Sequence, residues 1–157
     1  MALLRDVEDD DLDVLFAHWT DEESNHMAAF TVADPNDRAA FDARWERLRG
    51  DASVTTKAIV HGGEVVGSIG SWDADGRREV TFWLGRDHWG KGLATSALAE
   101  FLREVERARP VYGVCAHDNV ASRRVLEKCG FRVVGASRGF ANARGEETDE
   151  LVLRLDG

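Results

Sequence analysis

The sequence is short of the residues that staple or interrupt a chain. Its 157 residues include two cysteines, Cys115 and Cys129, and two prolines. Two thiols are too few for a disulfide framework or a zinc site, so a reducing, cytoplasmic setting is the default expectation. No Pro-rich linker, internal repeat or low-complexity stretch divides the chain. At roughly 100–200 residues per domain, one domain over residues 1–157 is expected. No apolar run approaches the roughly 20 residues that span a bilayer. The opening MALLRDVEDDD turns acidic too early for a signal peptide, so no membrane association is expected. Lysine is scarce: only Lys57, Lys91 and Lys128 stand among the 20 basic residues, against 29 acidic ones and a net charge of −9. An acidic surface repels polyanions and argues against nucleic acid as a partner. It attracts cations such as amines, and it also simply keeps a protein soluble.

What remains is an ordinary globular composition, 43% hydrophobic and 31% charged. A chain of this length can bury about 70% of its unfolded surface, enough for a core without staples. A short apolar opening at Ala2–Leu4 reads as a strand. Leu12, Leu15, Phe16 and Trp19 then fall on one helical face. Residues 21–33 lack a clear period and read as a loop or short helix. Asp34-Pro35 is a helix start, followed by a stripe of Phe41, Trp45 and Leu48 up to Gly50. Period two takes over at residues 54–60, 65–72 and 79–84, with turns at His61–Glu64 and Asp73–Arg78. A glycine-bearing loop, 85–92, leads into a strong helical stripe (Ala94, Ala97, Leu98, Phe101, Leu102, Val105) that runs toward Pro110. Residues 111–116 form a buried-looking strand. Asp118 or Asn119 caps another helix, closed by Gly130, and two strands, 131–136 and 148–155, flank a turn at 140–145. The expected fold is α/β (α+β): an antiparallel meander, a crossover helix to a parallel strand, and helices on both faces.

The loop carries the chemistry. Leu84-Gly85-Arg86-Asp87-His88-Trp89-Gly90-Lys91-Gly92-Leu93-Ala94-Thr95 joins a strand to a helix. Small residues let backbone N–H groups approach a ligand, and the free N–H groups and dipole of a helix start favour an anion, most often phosphate. Three templates compete, beside a plain tight turn. The dinucleotide pattern fails at Thr95, which stands where a third glycine belongs. The P-loop pattern fits Gly85, Gly90 and Lys91 but meets Gly92 where a magnesium-binding hydroxyl is needed. The third, R/Q-x-x-G-x-G/A, cradles the pyrophosphate of coenzyme A, and Trp89-Gly90-Lys91-Gly92-Leu93-Ala94 matches its small-residue positions.

Here the chain resembles the GNAT superfamily of N-acetyltransferases. The likeness extends to the opening L-R-D-V, the meander, and the stretch Asp118 to Phe131, which is similar to the N-x-x-S-x-x-x-x-E-K-x-G-F signature of ribosomal-protein N-terminal acetyltransferases. The resemblance implies acetyl-CoA as co-substrate, no metal, and an amine acceptor, either a small molecule or a peptide N-terminus. A homodimer is a family-level expectation. It implies coenzyme contacts at Trp83 and Leu84 on the strand, at Arg86, Trp89, Gly90, Lys91, Gly92, Leu93, Ala94 and Thr95 in the loop, and at Asn119 and Ser122 on the signature helix. Trp89 replaces the motif's Arg or Gln, and Lys91 and Arg86 are the substitute cations.

Acetyl transfer needs a neutral amine, a held carbonyl, an oxyanion donor and protonation of the leaving sulfur. The strand E-V-T-F-W-L resembles the family strand whose glutamate is the base, which points to Glu79; a solvated glutamate beside Arg77-Arg78 is the competing reading. An α-amine with pKa near about 8 needs less help than a lysine. A backbone N–H near Leu84 would serve the oxyanion. The tyrosine that many family members use for the thiol is Leu126 here, so Ser122 is the replacement candidate, with Asn119 at i−3 orienting the pantetheine amide or the amine. Both also suit plain capping positions. His18, His26 and His61 lack metal-ligand spacing, and Cys115 and Cys129 suit buried structural thiols. Trp19, Trp45, Trp72 and Trp83 read mostly as core, with Trp72 and Trp83 also candidates for a wall of the acceptor site. In the family, acceptor pockets are built from the loops corresponding to 26–34 and 140–147. Two rival readings are a non-catalytic acyl-CoA-binding module and a P-loop phosphotransferase.

Overall fold

The structure is a computed structural model that describes residues 2–157. Seven strands form one sheet in the order β1-β2-β3-β4-β5-β7-β6. They are β1 (Leu3–Arg5), β2 (Thr55–His61), β3 (Glu64–Ala74), β4 (Arg77–Leu84), β5 (Val111–Ala116), β6 (Arg132–Ala141) and β7 (Glu146–Leu155). The helices are α1 (Leu12–Trp19), α2 (Glu22–Ala28), α3 (Arg38–Gly50), α4 (Leu93–Glu104) and α5 (Val120–Lys128). Every strand pair is antiparallel except β4–β5, which α4 connects as the parallel crossover. No helix of the described residues is long and apolar enough to cross a membrane.

Alternation along the strands divides the interior into two layers. Ile59, Ile69, Val80, Leu84, Val111 and Leu153 pack against Ala97, Leu98 and Phe101 of α4 and Leu126 of α5. On the opposite face Ala58 meets Leu12 and Leu15 of α1 and Phe41 and Trp45 of α3. α5 lies close on β5 because Gly113 has no side chain: a Cβ there would sit 2.7 Å from Leu126 Cδ2.

Locally, one open expectation is resolved and two shift. The aperiodic 21–33 stretch contains α2, started by Asp21, whose carboxylate accepts from the Ser24 N–H at 2.9 Å. α3 begins later than Asp34-Pro35 suggests. Asp34 is used in a turn, accepting from the Asn36 N–H at 3.1 Å, and Asp37 becomes the cap through the Ala40 N–H at 3.0 Å. α4 stops at Glu104, short of Pro110. The following Glu106 turns into the sheet, where its carboxylate accepts from Ser71 Oγ (2.5 Å) and Arg78 Nε (2.6 Å). Arg109 then satisfies the free carbonyls of Leu102 and Glu106 at 3.0 and 2.9 Å.

Candidate active site

The site is built where two strands part. β4 and β5 pair only from Arg78 to Val80 against Val111 to Gly113. Beyond that rung, Thr81–Leu84 stays with β3 while Val114–Ala116 stays with β7. The Gly85 N–H donates to Val66 O at 2.8 Å, which sets the alternation along β4: odd residues bond toward β3. The N–H groups of Phe82 and Leu84 therefore face the gap, with no strand opposite them.

A cavity of about 370 Å³ fills this fork. Phe82, Trp83 and Leu84 form one wall and α5 the other, through Ala121, Ser122 and Val125. α2 closes the mouth with Ser24 and Met27. The floor is the loop into α4, where Gly90 and Gly92 both have φ of +75°. Gly92 occupies the N-cap position of α4 in the left-handed region, which glycine adopts without a Cβ penalty. Leu93, Ala94 and Thr95, the first residues of α4, border the cavity, at the helix end whose free N–H groups and dipole favour an anion. A second cavity of about 500 Å³ lies between α3 and the opposite face of β2–β4, and Phe82 and Trp83 border both.

Residues 2–132 match the family model of the acetyltransferase (GNAT) domain. The chain belongs to the GNAT acetyltransferase family. It is 28% identical to a protein described as the uncharacterized N-acetyltransferase p20 of Bacillus licheniformis, over 97% of this chain and 90% of that one. The fold is shared with the spermidine N-acetyltransferase of Vibrio cholerae, solved with CoA and spermine (TM-score 0.85, 15% identity, 99% of this chain and 95% of that one). It is also shared with the ribosomal-protein-alanine N-acetyltransferase of Brucella melitensis (TM-score 0.82, 21% identity, 99% of each chain). The chain is an acyltransferase, and the P-loop phosphotransferase reading falls with that assignment.

Most residues expected from the GNAT resemblance converge on the fork. Trp83, Leu84, Trp89, Gly90, Gly92, Leu93, Ala94, Thr95, Asn119 and Ser122 all line its cavity. Trp89 folds back so that its indole donates to Leu84 O at 3.0 Å, closing the loop on the strand end. Asn119 caps α5 by accepting from the Ser122 N–H at 3.2 Å, and its amide donates to Met27 O at 3.2 Å, so it ties α5 to the end of α2. The Ser122 hydroxyl has no protein hydrogen-bond partner among the described residues. Leu126 is buried against Gly113 and does not face the cavity.

Two expected cations are placed elsewhere. Arg86 forms ion pairs with Asp21 (3.2 Å) and Glu23 (2.9 Å), and neither it nor Lys91 borders the cavity. The bordering cations are Arg124 and Lys128 on α5, neither with an ion-pair partner among the described residues. Sequence reasoning passed over them, although Ala121, Val125 and Lys128 share one helical stripe that was there to be read.

Glu79 lies on the β4–β5 ladder one rung before the strands part; it is buried, borders neither cavity, and has its carboxylate 3.5 Å from Arg77 Nε. The Arg77 guanidinium rests over Tyr112, 4.6 Å from the ring centre. Glu150, opposite Ala116 on β7, shares this face. Burial pushes its carboxyl above the usual range and the Glu79 charge adds to that, while a hydrogen bond from Ser137 Oγ (3.2 Å) opposes it. Only the strand pairing reveals this second acid. Arg144, in the β6–β7 turn, fastens the rim. It donates to both Asp118 oxygens (2.8 and 2.9 Å) and to His26 O (2.9 Å), and it holds the Asp118 carboxyl below its ordinary pKa.

Proposed function

We propose that the fork moves an acetyl group from acetyl-CoA to a primary amine, of a small molecule or a peptide N-terminus, by direct attack of the amine on the thioester. The observation that carries this reading is the early end of the β4–β5 ladder, which turns N–H groups of Phe82 and Leu84 into a cavity leading to the Gly90–Gly92 loop. A backbone donor in that position suits a developing oxyanion, because it is fixed before the charge appears. Acetyl-CoA supplies the activated acyl group; the protein supplies placement and proton handling.

The α4 N-terminus and the α5 cations suit the coenzyme phosphates. Glu79 takes the amine proton, directly or through water, at the base of the fork. Glu150 is the alternative acceptor on the same face, its raised pKa bringing it nearer to neutral pH. Ser122, with its hydroxyl unengaged and on the cavity wall, relays a proton from solvent to the leaving sulfur, taking one from water as it gives its own. The acceptor itself does not follow from the fold: the two solved relatives above are named for a polyamine and for a ribosomal protein.

The test is a calorimetric titration with acetyl-CoA followed by a thiol-release screen over amines. Micromolar binding with turnover on at least one amine is expected. Absence of binding refutes the coenzyme assignment. Binding without turnover on any amine favours a non-catalytic acyl-CoA-binding module.

A further inference from the structure

The second cavity has an unusual charge inventory. The charged residues on its lining are Arg44, Asp51 and Asp73. Asp51 is engaged by the Ser53 N–H and Oγ at 2.9 and 2.7 Å, and Asp73 by Arg78 at 3.3 Å. Arg44 has no carboxylate or carbonyl partner among the described residues; its guanidinium lies over the Trp19 ring, 5.6 Å from its centre. Arg44 is thus the one cation on this lining, and its guanidinium is free of any ion pair among the described residues. Arg44 is exposed at the cavity edge, and partial desolvation there together with the neighbouring Arg47 charge pushes its pKa down. Both effects favour the arrival of an anion.

The walls of this cavity are aromatic, and it shares Phe82 and Trp83 with the cavity of the fork. Trp45 and Trp72 border it, and Trp19 stacks near Trp83 with ring centres 5.0 Å apart. Trp83 in turn borders the coenzyme cavity. Arg44, Trp19 and Trp83 thus form a chain of contacts from the α3 side of the sheet to the reaction fork. Thr81, Ser68 and Gly70 floor the space between, on the same face as Glu79. About 500 Å³ is within the range of small-molecule sites.

We propose that this cavity holds the body of the acceptor and that Arg44 fixes a carboxylate on it. This rests on the acetyl-transfer reading and adds a substrate class: an amine joined through an apolar chain or ring to a carboxylate. The aromatic walls take the apolar body, the guanidinium takes the carboxylate at the far end, and the amine is left at the fork. A guanidinium suits this task because its planar donors match a carboxylate two at a time. The overall negative charge of the protein favours cationic amines at long range, whereas the local unpaired arginine selects among them.

The test uses matched probes: 4-(aminomethyl)benzoate against benzylamine, and 6-aminohexanoate against hexylamine. Two readouts are taken for wild type, Arg44→Gln and Arg44→Lys. One is kcat/KM by thiol release with acetyl-CoA; the other is tryptophan fluorescence on titration without coenzyme. Wild type is expected to favour each carboxylate probe by about tenfold or more, the lower range for a charge-assisted contact. Arg44→Gln is expected to erase that preference, mainly through KM, and Arg44→Lys to keep part of it. Turnover of both members of a pair at equal efficiency, or a preference untouched by Arg44→Gln, overturns the proposal while leaving acetyl transfer intact. Arg44-dependent binding of 4-(aminomethyl)benzoate without turnover of any amine upholds the site and refutes acetyl transfer. Fluorescence that responds equally to benzylamine and 4-(aminomethyl)benzoate also overturns the proposal.

Discussion

Arg124 and Lys128 lie four residues apart on α5 and border the cavity of the fork, the proposed coenzyme site, whereas Arg86 is held by Asp21 and Glu23. Neutralising these side chains should therefore have unequal effects on acetyl-CoA binding. A unit charge about 4 Å from a phosphate is worth about 1 kcal/mol in bulk water and about 4 kcal/mol at an effective dielectric near 20. Both α5 cations are exposed, so the lower end applies. With tenfold in Kd for each ~1.4 kcal/mol, Arg124→Ala and Lys128→Ala should each weaken binding by about five- to tenfold. The double variant should fall somewhat short of the product, because neighbouring charges share counter-ions and ligand. Arg86→Ala should change Kd by less than about twofold, since Asp21 and Glu23 hold this exposed side chain away from the cavity. The assay is calorimetry with acetyl-CoA at low and high salt, and the wild-type advantage over the α5 variants should shrink as salt rises. An Arg86→Ala loss equal to that of Lys128→Ala would refute the reasoning. So would a Lys128→Ala protein that binds like wild type.

Three other outcomes are expected. Ser122→Ala should lower kcat while acetyl-CoA affinity stays within a few-fold; an unchanged kcat removes Ser122 from thiol protonation. Burial alone would raise the Glu106 pKa, but hydrogen bonds from Ser71 and Arg78 outweigh it and the net shift is downward. The stabilisation is then complete above the ordinary glutamate pKa of about 4.3 and lost as pH falls through the lower folded value, so the Tm gap between wild type and Glu106→Gln should close in acid. A Tm gap independent of pH would contradict this. A Cβ at Gly85 would sit 2.5 Å from His18 Nε2, so Gly85→Ala should cost about 1–3 kcal/mol of stability. The double variant with His18→Ala should unfold at a smaller cost than the sum of the two; strict additivity in denaturant melts would show that the clash is not the cause.

Much of the architecture was legible because it is written in local periodicity. The Leu12–Trp19 stripe, the meander and the Ala94–Leu102 stripe each encode one buried face, and the structure places them as α1, β2–β4 and α4. The loop was legible for the same reason: closely spaced glycines after a strand signal left-handed backbone, and Gly90 and Gly92 adopt it. Signals that depend on competition between neighbours were harder to read. Asp34 and Asp37 are equal capping candidates by type, and only the turn that engages Asp34 leaves the role to Asp37. Stripe and cap reasoning carried α4 toward Pro110, but a buried carboxylate contact 35 residues away in sequence ends it sooner.

The sequence by itself determined the element order apart from α2, the glycine loop before α4 and the faces of β4, since each depends on residues a few positions apart. Tertiary structure alone decided that β4 and β5 part after Val80, that Glu150 shares a face with Glu79, and that Arg86 is engaged while Arg44, Arg124 and Lys128 are not. The physical reason is that a charge is neutralised by whatever packing brings within a few ångströms, and a strand's edge is open or closed according to its neighbour. Neither can be read from spacing along the chain.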